Sequence, residues 1–205
     1  MNKSKVSVVI PTLDKEEVTR TLKHIENQIY DGEIETIVVN EPELDIAEAR
    51  NKGIRKASGE IIAFTNDDCY PKKDWIKEAT KHFDNSEIGG VEGYTYGGLE
   101  RIVSWGYMTS NIFYKKEVLE EVGGLDTELS RWRDDTDIGW RILKQGYKIT
   151  YESKARVEHP STSNSEIQLD KKVRLFKKHP KKYLENGVFY LTIKGILCQF
   201  TKWRY

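Results

Sequence analysis

The fold is decided by residues 61–71, Ile61-Ile62-Ala63-Phe64-Thr65-Asn66-Asp67-Asp68-Cys69-Tyr70-Pro71. Four apolar residues without alternation predict a short strand buried on both faces, as in a parallel sheet covered by helices. Asn66, Asp67 and Asp68 follow its C-terminal end, and Pro71 stops the extended run. In open α/β sheets that edge is where ligands bind. Carboxylates there are hard oxygen donors, suited to Mg²⁺ or Mn²⁺ that keeps waters and takes other ligands from a diphosphate. The competing reading is a solvated turn, because Asn and Asp are ordinary turn residues.

Upstream, Val6 to Ile10 is a compact apolar run and reads as the first strand, followed by the turn Pro11-Thr12-Leu13. Asp14 with Glu17 forms a capping-box pattern, with Asp in place of Ser or Thr. Val18, Leu22, Ile25 and Ile29 follow at helical spacing and predict a core-facing stripe, ended at Asp31-Gly32. Glu35 to Val39 is the second strand. A β-α-β unit with buried strands implies a parallel sheet with a right-handed crossover. Asp45 is placed to cap a helix running to about Ser58, with Gly59 suited to its C′ position.

Downstream, Asp74 to Phe83 reads as a helix with Trp75, Ile76, Ala79 and Phe83 facing inward, and Ile88 to Val91 as a fourth strand. Gly93 to Gly106 reads as an irregular loop or hairpin. A helix over Lys116 to Val122 is broken by Gly123-Gly124, and another over Ile138 to Gln145 ends at Gly146. Strands are expected at Tyr147 to Tyr151 and in the short run that ends at His159. The pattern is α/β: a mostly parallel central sheet flanked by helices.

The 205 residues suit one domain with an appendage, and the formal net charge is zero. That charge is unevenly spread. Residues 1–160 carry 23 Lys and Arg against 30 Asp and Glu, and residues 161–205 carry 10 against 3. A domain over 1–160 and a basic, aromatic extension over 161–205 are therefore expected. The two cysteines, Cys69 and Cys198, lie too far apart in sequence to form a metal motif or a disulfide framework, which fits a reducing compartment. The N-terminal apolar run is too short for a signal peptide, and no apolar stretch reaches the roughly 18 residues that span a bilayer. A cytoplasmic protein is expected, with peripheral attachment at the membrane surface as its variant.

Taken in order, these pieces resemble a family 2 glycosyltransferase of the GT-A type. Val6 to Thr12 resembles that family's opening strand and turn, and Ala49-Arg50-Asn51-Lys52-Gly53 its Arg-Asn-x-Gly signature. Ala57-Ser58-Gly59-Glu60 followed by Asn66-Asp67-Asp68 resembles the approach to its Asp-x-Asp metal motif. Glu120 to Asp126 resembles its glycine-glycine-aromatic-aspartate turn, and Asp134-Asp135-Thr136-Asp137 its Glu-Asp motif. His159 stands where many members place a late metal-binding histidine. The resemblance covers roughly residues 5–160, and its specificity lies in the ordered set.

The resemblance implies inverting sugar transfer from a nucleotide-diphosphate donor, a UDP- or GDP-sugar, with Mn²⁺ or Mg²⁺ as cofactor. It makes Asp68 a metal ligand and His159 a second, against the alternative of a surface histidine. Asn66 replaces the usual first aspartate, and Asp67 is expected at the donor ribose or sugar. Asp135 is expected as the base that takes the acceptor proton, with Asp134 beside it, while their place at a helix start also suits a capping role. Thr12 and Asp14 lie on the first βα turn, near the nucleoside. Asn40 and Glu41 replace an aspartate that contacts the base. Arg50 and Asn51 are further donor-site candidates, and the alternative for Arg50 is a surface ion pair with Glu48 or Glu60. Trp132 suits either stacking on a sugar or the core. The acceptor is a glycan, a lipid carrier or a protein. A non-catalytic nucleotide-sugar-binding protein is the rival from another class.

In the extension, Lys171, Lys172, Arg174, Lys177, Lys178, Lys181 and Lys182 are interleaved with Val173, Leu175 and Phe176. An amphipathic surface for anionic lipid and a helix packed over the acidic body fit equally well. Gln199-Phe200-Thr201-Lys202-Trp203 is similar to the Gln-x-x-Arg-Trp motif of processive synthases, which would put Trp203 beside the acceptor. No nucleic-acid-binding module surrounds the basic run.

Overall fold

The computed structural model describes residues 3–97, 107–160 and 169–185. The chain divides into two compact units, residues 1–166 and 167–205. In the first unit the order is β1 (Val6–Pro11), α1 (Lys15–Glu26), β2 (Ile34–Val39), α2 (Ile46–Lys56), β3 (Ile61–Phe64) and β4 (Tyr70–Pro71). It continues with α3 (Trp75–Thr80), β5 (Ile88–Gly97), β6 (Ile112–Lys115), α4 (Lys116–Glu121), a 3₁₀ turn over Thr127–Leu129, α5 (Asp134–Lys144) and β7 (Lys148–His159).

The strands form one sheet in the order β2-β1-β3-β6-β5-β7-β4. β1 pairs in parallel with β2 and β3, as successive β-α-β units require. Alternation along β1 and β3 supplies a core on each face. Val6, Val8, Ile10, Ile61 and Ala63 pack with Val18 and Ile25 of α1 and with Trp75, Ile76 and Ala79 of α3. Val9, Ile62 and Phe64 pack on the other face with Ala47 and Ile54 of α2, Val118 and Leu119 of α4, and Ile138 and Ile142 of α5. Burial on both faces is why these strands read as unbroken apolar runs.

The sheet is more mixed than the sequence implied. β6 lies antiparallel between β3 and β5, and β4 is antiparallel to β7, while β5 and β7 are parallel. Ile112-Phe113-Tyr114 is too short an apolar run for sequence periodicity to tell strand from helix. The two strands expected near residues 147–159 are one strand. A register shift, with Gly93 opposite Glu152 and Tyr94 opposite Arg156, hid its continuity. Gly93 to Gly97 belong to β5, and the remainder of the expected loop, 98–106, lies outside the described residues.

Two helix ends differ from expectation. α1 is capped by Asp14, whose carboxylate accepts the Glu16 and Glu17 amides, but it ends at Glu26. Ile29 therefore falls beyond the helix and is 58% exposed, because helical spacing carries no meaning past the cap. α2 has a complete capping box between Asp45 and Glu48 and ends at Lys56, ahead of Gly59. Gly59 instead lies against β1, where a Cβ would stand 2.7 Å from the Ser7 amide nitrogen.

In the second unit, α6 (Leu169–Lys178) and α7 (Pro180–Glu185) meet through Phe176 and Tyr183, whose rings pack edge-on at 5.6 Å. Pro180 opens α7 at a position where its missing N–H costs nothing. Cys198 and the segment Gln199 to Trp203 lie outside the described residues.

Candidate active site at the carboxyl edge of the sheet

Three successive side chains after β3 are held by three different elements. The Asn66 side-chain oxygen accepts from the Arg50 guanidinium of α2 at 3.0 Å. The Asp67 carboxylate accepts from the Thr12 hydroxyl, just past β1, at 2.6 Å. The Asp68 carboxylate lies 3.2 Å from Nε2 of His159, the last residue of β7. All three loop side chains stay half-buried, so each keeps a face toward solvent. The Thr21 hydroxyl of α1 anchors the loop backbone at the carbonyls of Asp67 and Cys69. Burial pushes the Asp67 carboxyl above its ordinary range, with the Thr12 bond opposing.

The residues of Ala49-Arg50-Asn51-Lys52-Gly53 divide among separate tasks. Arg50 is buried, and it spans from Asn66 to Asp134, whose Oδ2 is 3.5 Å away. The expected surface pair with Glu48 or Glu60 is therefore not its role. Asn51 donates to the Leu125 carbonyl and accepts the Leu125 amide, both at 2.8 Å. With both amide atoms engaged, Asn51 fixes the turn after α4. Gly53 lets α2 approach β1, since a Cβ there would sit 2.2 Å from Val9 Cγ1. The turn needs this support because Gly123 and Gly124 both have positive φ. Arg141 completes it, donating to the carbonyls of Val122 and Gly124 while Asp137 holds its Nε at 2.8 Å.

Asp134 and Asp135 open α5, following Arg133 in the left-handed region at φ 66°. Asp134 is buried and its pKa is raised to about 7, by burial first and by the Asp135 charge, against the pull of Arg50. Asp135 is raised too, again mainly by burial, with Arg133 and the Thr136 amide opposing. Asp135 reaches the surface in part and keeps a route to solvent. Asp137 is wholly buried and spent on Arg141.

A cleft of about 240 Å³ opens beside this loop, over the ends of β1 and β2. Thr12, Leu13, Val39, Glu41, Asp67 and Arg131 line it. Of the two residues expected to face a base, Glu41 borders the cleft and is paired with Lys52 of α2. Asn40 is half-buried at the end of β2. Asp14 caps α1, and those amide bonds hold its carboxyl below the usual range. Trp132 is buried among core residues.

Sequence reasoning missed Arg131 as a cleft residue and Thr21 as an anchor. Arg131 sits at φ 63°, a left-handed turn without a glycine to announce it. Thr21 lies mid-helix, where nothing in the local pattern marks a long-range hydroxyl contact.

Asp68, Cys69 and His159 each present a ligand atom within 4.8 Å of the other two. Carboxylate oxygen and imidazole nitrogen suit a hard or borderline divalent cation. The Cys69 thiol is pushed far up by burial, stays protonated and fits that cation poorly. The residues present fit a divalent cation held by Asp68 and His159.

A family model described as glycosyl transferase family 2 matches residues 41–130, from Glu41 of the cleft to the 3₁₀ turn ahead of α5. Over that stretch the chain is similar to glycosyltransferase family 2. It is 28% identical over 197 residues to the glycosyltransferase AglE of Haloferax volcanii, covering 85% of this chain and 63% of that protein. It is 27% identical to the glucosyl-dolichyl phosphate glucuronosyltransferase of the same organism, covering 62% of this chain and 52% of that one. The chain thus spans about half to three-fifths of these curated relatives. A mannosyltransferase from Pyrobaculum calidifontis, solved with GDP-Man and Mn²⁺, superposes with a TM-score of 0.66 at 20% identity, over 80% of this chain and 59% of that one. That likeness establishes the GT-A fold for this chain.

Proposed function

We propose that this chain transfers a sugar from a nucleoside-diphosphate sugar to an acceptor hydroxyl, with inversion at the anomeric carbon and a requirement for a divalent cation. The observation that carries the reading is the Asn66-Asp67-Asp68 loop. Through Arg50 it joins the ligand pair Asp68–His159 to the acidic pair Asp134–Asp135. Support for the donor class comes from the family 2 match and from the Pyrobaculum enzyme solved with GDP-Man and Mn²⁺.

Asp68 and His159 would hold the cation. When bound, it offsets the negative charge that grows on the departing diphosphate. The nucleoside lies in the cleft, its base near Glu41, whose carboxylate accepts base N–H groups while Lys52 steadies it. Arg131 brings positive charge to the same cleft. Asp67 and Thr12 set the cleft's inner wall. On the opposite face of the sugar, an Asp135 oxygen takes the acceptor hydroxyl's proton as that oxygen attacks. A raised pKa makes Asp135 the stronger base, and a base of this kind contributes about 10²–10⁴ in rate. Asp134 and Arg50 position Asp135 relative to the loop. The Haloferax relative named for glucosyl-dolichyl phosphate points to a lipid-linked acceptor.

The test is calorimetric titration of GDP, UDP and their sugar conjugates, with Mn²⁺ and with EDTA, while diphosphate release is followed. Metal-dependent binding of one base is expected, with slow release that Asp135→Asn abolishes while donor binding persists. Binding that ignores EDTA, or none to any nucleotide, sinks the reading and leaves a non-catalytic module.

A further inference from the structure

Among its described residues, the second unit carries an exposed apolar stripe on a strongly basic segment. Along α6, Leu169, Val173 and Phe176 recur at four- and three-residue intervals, so they share one side of the helix. They are exposed by 60%, 46% and 39%, and Leu184 of α7 by 54%. Ordinary surface helices hide such a stripe. A different side of the same segment is the buried one, through Leu175 and Tyr183. Phe176 is not loose, since its ring is held edge-on against Tyr183 at 5.6 Å. Lys172 is buried with Leu175; the other six cations, Lys171, Arg174, Lys177, Lys178, Lys181 and Lys182, stand against Asp170 and Glu185 within residues 169–185, with Lys181 paired to Glu185. No described helix is long and apolar enough to cross a membrane.

We propose that α6 and α7 form an in-plane docking element for an anionic bilayer surface. Leu169, Val173, Phe176 and Leu184 enter the headgroup–acyl boundary, and Arg174 and the lysines other than the buried Lys172 face the lipid phosphates. Charge complementarity selects the occupant. A neutral protein groove would accept the apolar stripe but not reward six cations, and a nucleic acid would accept the cations but not the stripe. Shallow insertion of apolar side chains together with lysine–headgroup attraction is the physics of interfacial helices. Lysine stems lie along the apolar surface while their ammonium groups reach the headgroups. The proposal concerns residues 169–185 alone and stands independently of the chemistry assigned to the first unit.

The experiment is co-sedimentation of the full chain with vesicles of phosphatidylcholine alone and of phosphatidylcholine mixed with phosphatidylglycerol. Binding is expected to the mixed vesicles only, and salt should weaken it as the surface field is screened. Lys177→Gln with Lys178→Gln should weaken it by about tenfold or more, following the attraction of each cation near the surface. Phe176→Ser should weaken it comparably. Because Phe176 also packs on Tyr183, Leu169→Ser with Val173→Ser supplies the same test with that ring contact intact. Lys15→Gln with Lys144→Gln, on the first unit, should change nothing. Equal binding to neutral vesicles, no binding to either, or full binding by the Leu169→Ser/Val173→Ser variant overturns the proposal. So does retention on heparin that the apolar substitutions leave intact while vesicle binding is absent, since that describes a purely electrostatic nucleic-acid-like surface.

Discussion

The Arg50 guanidinium lies 3.5 Å from the Asp134 carboxylate, both side chains are buried, and the other end of the guanidinium holds Asn66 at 3.0 Å. One cation thus ties the loop after β3 to the start of α5. It thereby couples the placement of Asp68 to that of Asp135.

Arg50→Met should therefore strand Asp134 in the interior. At pH 8, where the carboxyl is charged, the expected loss is roughly 3–5 kcal/mol, the usual cost of removing one partner of a buried pair. At pH 5 the carboxyl is protonated, and the loss should shrink. Urea denaturation of both proteins at the two pH values measures it. An equal loss at both would mean that Asp134 carries no charge in this pair.

Asp134 itself gives the protein a pH-dependent stability of defined sign. Its folded pKa of about 7 lies above the ordinary 3.8, so the folded protein holds a proton that the unfolded chain has released. Stability from this group is fully present below pH 3.8 and is lost as pH rises through 7, by on the order of 4 kcal/mol. Asp134→Asn removes that slope. The variant should gain on the wild type steadily from pH 4 to pH 7 and hold a constant difference above it. Denaturant midpoints across that range decide, and parallel curves would contradict the assignment.

Asn51 tests whether a residue of the Arg-Asn-x-Gly signature serves the ligand or the fold. Asn51→Ala leaves the Leu125 amide and carbonyl without partners, at an expected cost of about 2 kcal/mol. Nucleotide affinity, measured where the variant is fully folded, should stay within error. A large loss of affinity without loss of stability would return Asn51 to the donor site.

Gly53 and Val9 should be energetically coupled. Gly53→Ala forces its new methyl into the Val9 side chain and should cost roughly 1–3 kcal/mol. Combined with Val9→Ala, part of that cost should vanish, so the double variant is more stable than the sum of the singles. A thermal-denaturation double-mutant cycle reads the coupling directly, and strict additivity would place α2 farther from β1.

Mn²⁺ should raise the melting temperature through Asp68 and His159. At a hundredfold excess over Kd, binding to the folded state alone adds about 2.7 kcal/mol. Asp68→Asn should abolish the shift and His159→Ala should reduce it, whereas Cys69→Ala should preserve it, because a protonated thiol is a poor ligand for a hard ion. A shift that survives Asp68→Asn would move the site elsewhere.

The parts of the fold legible in the sequence were those governed by short-range rules. β3 runs over Ile61–Phe64, the range its unbroken apolar residues indicate, because burial on both faces leaves no room for alternation. Asp14 and Asp45 were readable as helix caps because capping acts within three residues. β6 was not readable, since four residues inserted between two distant strands carry no period of their own. Ile29 shows the opposite error, a periodicity extended past the cap that ended it.

At the site, the sequence by itself determined the chemistry available: carboxylates after a buried strand, an acidic pair opening a helix, a histidine ending a strand. Composition and order suffice for that, because those side chains have few alternative uses at such positions. Only the tertiary structure decided the assignments. Arg50 turned inward to Asn66 and Asp134, Asn51 went to the Leu125 backbone, and His159 met Asp68 from ninety-one positions away in sequence. Such contacts depend on strand order and on how closely α2 and α5 approach the sheet. Those quantities are set by packing summed over the whole core, and no local stretch of residues encodes them.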